Sequence, residues 1–223
     1  MYRSLMYKEW LKIRWGSLFM TLLLIAVNIY IYIILSYNLR FIEAADYWYG
    51  IIFMGEEFYN LLTYLPLAAG ITIALSQYLP EITDRRIKLS LHLPLKENNI
   101  LYTFTAFGVA VLSGIFAVAI GSLTIILCVF FPQQIVSQVL LTILPWFLAG
   151  FVGYAAVSFI VLEPTWSKRI VYILLSTAVL NLFYENFWYG IYARFLPVLL
   201  AIIILLAPAV LFSGLRLKKG IAK

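Results

Sequence analysis

Long apolar runs alternate along this chain with short polar islands, and the spacing of those islands sets its organisation. Residues 17–37 are 21 positions without a charge. At about 1.5 Å per residue they make about 30 Å of helix, the thickness of a bilayer's hydrocarbon core. Residues 98–162 are 65 uncharged positions, too long for one crossing, and Phe131-Pro132-Gln133-Gln134 supplies the turn. The pattern predicts six spans, at 17–37, 58–80, 99–131, 137–162, 170–190 and 195–215. Pro66 and Gly70 are expected to kink the second span, and the third is expected to tilt or break near Gly114. The fifth run has only 15 apolar residues, Ile170 to Tyr184. Either Glu185 is tolerated inside a longer helix, or the crossing ends early and residues 187–192 dip back as an aromatic hairpin.

Two polar segments stand out. Residues 1–16 interleave Arg3, Lys8, Glu9, Lys12 and Arg14 with Leu5, Met6, Trp10, Leu11 and Ile13. That is the pattern of a basic amphipathic helix lying at a membrane surface, or of a basic flank that sets orientation. Residues 17–37 are too long for a signal peptide's apolar region, and no small-residue cleavage site follows. The second segment, residues 81–98, holds seven charged residues and the sole histidine, His92. A short helix there places Ile82, Leu89 and Leu93 on one face and turns Asp84, Arg85 and Lys88 toward water or a partner. Pro94 ends it. Residues 163–169 form a smaller island.

Composition settles the class. The chain is 64% apolar and 12% charged, against about 45–50% and about 25% in ordinary soluble domains. It reads as an all-α, multi-pass protein of the cell membrane, a single transmembrane domain over residues 1–223. In such a protein the location of charge matters more than the net +6. Fourteen of the sixteen lysines and arginines fall in segments that six spans place on one side, leaving Arg40 and Arg194 on the other. The bias puts both termini and both islands in the cytoplasm, and it accounts for the basic charge without nucleic acid.

Little in the chain suggests catalysis. One cysteine, Cys128, and one histidine give neither a disulfide nor a zinc ligand set. There is no phosphate-binding G-x-x-x-x-G-K-[ST] loop. Glu56-Glu57 lacks the arginine that paired-glutamate membrane proteases carry four residues on; Leu61 stands there. Ser113-Gly114 lacks a histidine partner. Glu185, with Trp188, Tyr189 and Tyr192 nearby, reads as interfacial. Asn28, Gln77 and Asn181 read as hydrogen-bonding between helices. Ala106, Ala110, Gly114, Ala117 and Gly121 form a stripe that packs inside the bundle or against another subunit.

Four features together resemble the permease subunits of ABC transporters of the type 2 exporter class. Tyr7-Lys8-Glu9-Trp10-Leu11-Lys12 resembles their opening elbow helix. Six spans with both ends inside match their topology. Residues 81–96, with Leu93-Pro94-Leu95, resemble their coupling helix, and the aromatic segment 184–194 resembles their re-entrant hairpin. The resemblance implies a non-catalytic subunit that binds no cofactor itself, with ATP and Mg on a separate cytoplasmic ABC ATPase. It implies a second permease copy or homologue, contact with membrane lipid, and a further membrane or extracytoplasmic subunit as a candidate. It assigns ATPase coupling to Glu81, Asp84, Arg85, Arg86, Lys88, Leu89, His92 and Leu93. The competing readings are an ATP-independent secondary transporter and a membrane anchor for a larger complex.

Overall fold

The computed structural model describes residues 2–41, 44–53, 58–83, 97–184 and 194–206. Among these the chain is entirely helical: α1 (Tyr2–Phe41), α2 (Ala44–Phe53), a 3-10 turn (Asn60–Leu62), α3 (Leu65–Thr83), α4 (Glu97–Phe130), α5 (Gln133–Leu162) and α6 (Trp166–Asn181), followed by α7 (Leu196–Leu206). Four stretches are long and apolar enough to cross a membrane: Arg3–Phe41, Asn60–Thr83, Asn99–Phe130 and Gln133–Leu162. With 16 residues, α6 reaches about 24 Å, short of the hydrocarbon thickness. Of the sixth expected span, the described part is the 11 residues of α7.

Residues 2–16 are not set off as a separate interfacial element. They continue into the first span as one 40-residue helix, because no proline interrupts it and the single glycine at the boundary, Gly16, stays helical. Gly16 is where α1 passes close to α3: a Cβ there would lie 2.9 Å from Ser76 Oγ. Pro66 does not kink α3 in its middle. It sits in the first turn, where its missing N–H costs no helical bond. Among the described residues, the prolines past the first turn of a helix are Pro80 and Pro145. Nor does α4 break at Gly114; it runs unbroken from Glu97 to Phe130. The turn at Phe131-Pro132 forms where expected, with Phe131 N–H closing on Leu127 O at 2.9 Å and Ile135 N–H on Pro132 O at 3.0 Å.

The bundle's axis is α5. It is apolar all round, as a helix enclosed by others must be, and its residues from Pro145 to Phe159 are mostly buried. Its most extensive partner is α3, which runs parallel to it. The two backbones touch: a Cβ on Gly70 would lie 2.0 Å from Gly150 O, and one on Gly150 would lie 2.6 Å from Pro66 O. Aromatic rings fill the space around this crossing, with Phe116 edge-on to Phe147 at 5.1 Å and to Phe151 at 5.2 Å. On the other flank of α5, Leu148, Ala149 and Val152 meet Phe183 and Leu199, which docks α7. Parallel to α4 runs α1, joined at mid-height by Asn28, whose Nδ2 donates to Ala119 O (2.8 Å) and Ser122 Oγ (2.7 Å).

The small-residue stripe on α4 does not pack inside this bundle. Ala106, Ala110, Gly114, Ala117 and Gly121 are all exposed, and a Cβ on Gly114 or Gly121 would meet nothing within 4 Å. The glycines that do mediate packing are Gly16, Gly70, Gly108, Gly150 and Gly153, spread over four helices, so no single-helix spacing marks them. This contrast predicts that Gly70→Ala lowers stability by about 1–3 kcal/mol through overpacking. Gly114→Ala, with open space around it, should leave stability unchanged or raise it by up to about 1 kcal/mol through helix propensity. Thermal unfolding of the two variants in detergent separates them; equal melting would contradict the backbone contact.

Candidate functional site

At the end of the bundle where α1 and α4 begin and α3 and α5 finish, each of these four helices contributes a pair of residues four apart. Such pairs share one helix face. They are Lys8 and Lys12 on α1, Gln77 and Glu81 on α3, Phe104 and Gly108 on α4, and Tyr154 and Ser158 on α5. Glu9 joins them from α1. All four faces converge on one buried polar cluster.

Glu81 is at its centre. Its Oε1 accepts from Lys8 Nζ at 2.8 Å and Lys12 Nζ at 2.6 Å. Lys12 also pairs with Glu9 one turn earlier. Lys8 is 37% exposed, whereas Lys12 is 8% and the two carboxylates are 1% or less. From Glu9 the network continues inward: Gln77 Nε2 donates to Glu9 Oε2 (3.1 Å) and Phe104 O (2.8 Å). Tyr154 Oη donates to Gln77 Oε1 at 2.8 Å, and Tyr78 Oη lies 3.4 Å from Tyr154 Oη. The Phe104 ring closes one side, 5.9 Å from Lys8 Nζ and 5.2 Å from Lys12 Nζ, within cation–π range. Ser158 Oγ satisfies the Tyr154 carbonyl at 2.6 Å.

The absence of a side chain at position 108 makes this arrangement possible. A Cβ on Gly108 would lie 2.1 Å from Tyr154 Oη and 2.5 Å from Gln77 Oε1. Two lysines, of which Lys8 is partly exposed, balance two glutamates, so the cluster as a whole is neutral. Breaking one pair leaves an uncompensated charge. The Oε2 of Glu81 is also buried and has no hydrogen-bond partner among the described residues. Chemically the cluster is an ionic joint: it ties the last turn of α3 to the first turns of α1. Displacing the end of α3 must carry α1 with it or separate buried charges.

Of the residues expected to couple to an ATPase, the structure places Glu81. It points inward against α1, not onto an exposed docking face. Asp84, Arg85, Arg86, Lys88, Leu89, His92 and Leu93 lie outside the described residues, as does Glu185. The island at 163–169 forms a capped corner: Thr165 Oγ1 donates to the buried Glu163 Oε1 at 2.7 Å, and Arg169 Nε to Glu163 O at 2.7 Å. Trp166 and Lys168 are exposed there. Asn28 and Gln77 do bond between helices, whereas Asn181 is exposed at the end of α6. The inward roles of Glu9 and Lys12 were missed because a basic amphipathic stretch also describes a surface helix. The available signal was the matching four-residue register of Lys8/Lys12 and Gln77/Glu81.

No protein-family model, curated protein or solved structure matches the chain.

Charge balance makes the joint testable. Lys12→Met leaves Glu9 unpaired and should destabilise by about 3–5 kcal/mol, the cost of breaking a buried pair. Combining Lys12→Met with Glu9→Gln removes one charge of each sign and should recover a large part of that loss. Thermal unfolding in detergent checks both. A double variant no more stable than Lys12→Met would show that charge balance is not what holds the cluster.

Proposed function

We propose that this chain is the transmembrane permease subunit of an ABC transporter of the type 2 exporter class, with six spans and both termini in the cytoplasm. It couples ATP hydrolysis by a separate ATPase to export or to force transmission across the membrane. The observation that carries the reading is the ionic joint at the root of the 84–96 segment. That segment follows directly on α3, whose final turn is fastened to α1 through Glu81, Lys8 and Lys12. A push received there passes into two membrane helices at once.

The segment's composition suits a protein groove: Asp84, Arg85, Arg86, Lys88 and His92 supply charge and hydrogen bonding, and Leu89 and Leu93 supply apolar anchors. The charge bias puts it in the cytoplasm with the termini. ATP and Mg belong to the partner. A second permease copy completes the pathway, and the exposed stripe from Ala106 to Gly121 on α4 has the small side chains that let membrane helices approach closely.

A second reading draws on the same cluster. Glu9 and Glu81 are carboxylates buried at one end of the bundle, where an ion could be bound and released, so an ion-driven secondary transporter is the competing function. Purification from native membranes discriminates between the two. The permease reading predicts that an ATPase co-purifies and that the double variant Arg85→Glu, Arg86→Glu reduces its recovery at least about tenfold, equivalent to about 1.4 kcal/mol. Full retention of every partner by the charge-reversed protein would remove the coupling role from this segment.

A further inference from the structure

On the outer side of α1, away from the ionic joint, a groove of about 490 Å³ is lined by Trp10, Arg14, Trp15, Ser17, Leu18 and other residues of the same helix. Its polarity is graded along the axis. Arg14, Trp10 and Trp15 stand at one end, and Leu18 and Leu22 continue it toward the uncharged stretch. Ser17 Oγ donates to Arg14 O at 3.0 Å and Thr21 Oγ1 to Ser17 O at 2.7 Å. Both hydroxyls are therefore satisfied within the helix, and the wall below Arg14 presents mainly hydrocarbon.

With residues 17–37 filling the hydrocarbon core, Arg14 lies three residues, about 4–5 Å, outside it. That is the depth of phospholipid headgroups, where tryptophans also collect. The Arg14 guanidinium sits 5.5 Å from the Trp15 ring and forms no ion pair among the described residues. The acidic side chain nearest to it in sequence, Glu9, is already turned inward to Lys12. One end of the groove thus offers a fixed positive charge beside two indoles, and the other offers an apolar track.

We infer that this groove on α1 is a binding site for an anionic phospholipid, its phosphate held by Arg14 between Trp10 and Trp15 and one acyl chain laid along Leu18 and Leu22. Charge complementarity selects this occupant. A zwitterionic lipid fills the same track but gains less from the guanidinium, and a packed helix of a second protein would match the charge of Arg14 only by bringing an acidic side chain to this depth.

The test uses the intact protein reconstituted in phosphatidylcholine vesicles containing either brominated phosphatidylglycerol or brominated phosphatidylcholine at equal mole fraction. Bromine quenches nearby tryptophan, and the signal lost in the double variant Trp10→Phe, Trp15→Phe isolates the groove. The expected result is a preference of about fivefold for the anionic lipid, the worth of one basic residue at an anionic surface. Arg14→Gln should bring that preference near one, and Arg14→Lys should keep most of it. Equal quenching by the two lipids in the wild type would overturn the inference. So would a preference unchanged in Arg14→Gln.

Discussion

A single carboxylate oxygen, Oε1 of Glu81, takes both Lys8 and Lys12, and the arrangement of this end of the bundle depends on it. Neither lysine is close to Glu81 in sequence. Burying one carboxylate demands a counter-charge, and burying Lys12 demands a second carboxylate, which Glu9 provides. Neutrality is reached only when α1 and α3 are in register. Gln77, Tyr154 and the space left by Gly108 then extend the fixed register to α4 and α5. The cluster thus specifies one packing of four helices that apolar contacts alone would leave loosely determined.

The rest of the bundle is held by shape. Where Gly70 meets Gly150, the backbones of α3 and α5 are in contact, and aromatic rings from α4 and α5 close the space around them. In a membrane, close backbone approach supplies the packing that the hydrophobic effect cannot. Directional charge at one end and steric fit in the middle divide the task of holding α3 against its neighbours.

How much of this was legible in the sequence depended on whether the signal was local. The uncharged runs, their lengths and the Phe131-Pro132 turn are local, and four long apolar helices stand where the runs predict them. Other features depend on pairing between distant segments. Lys8, Glu9 and Lys12 read as a surface helix, and only the matching four-residue register of Gln77 and Glu81 signals that the partner of Lys12 lies 69 residues on. The regular stripe of alanine and glycine on α4 suggested internal packing, yet it faces outward, while irregularly placed glycines make the close contacts. Pro66 looked like a mid-span kink because the start of α3 was placed seven residues too early. Periodicity reports that a face exists, but not what it meets.

The account's central claim is that work enters the membrane bundle through the segment following α3. A photo-crosslinking amino acid at position 92, introduced in native membranes, addresses it directly. The account predicts a covalent adduct with a cytoplasmic nucleotide-binding protein, with a yield that changes on adding ATP. Adducts confined to lipid, or to proteins of the opposite compartment, would contradict it.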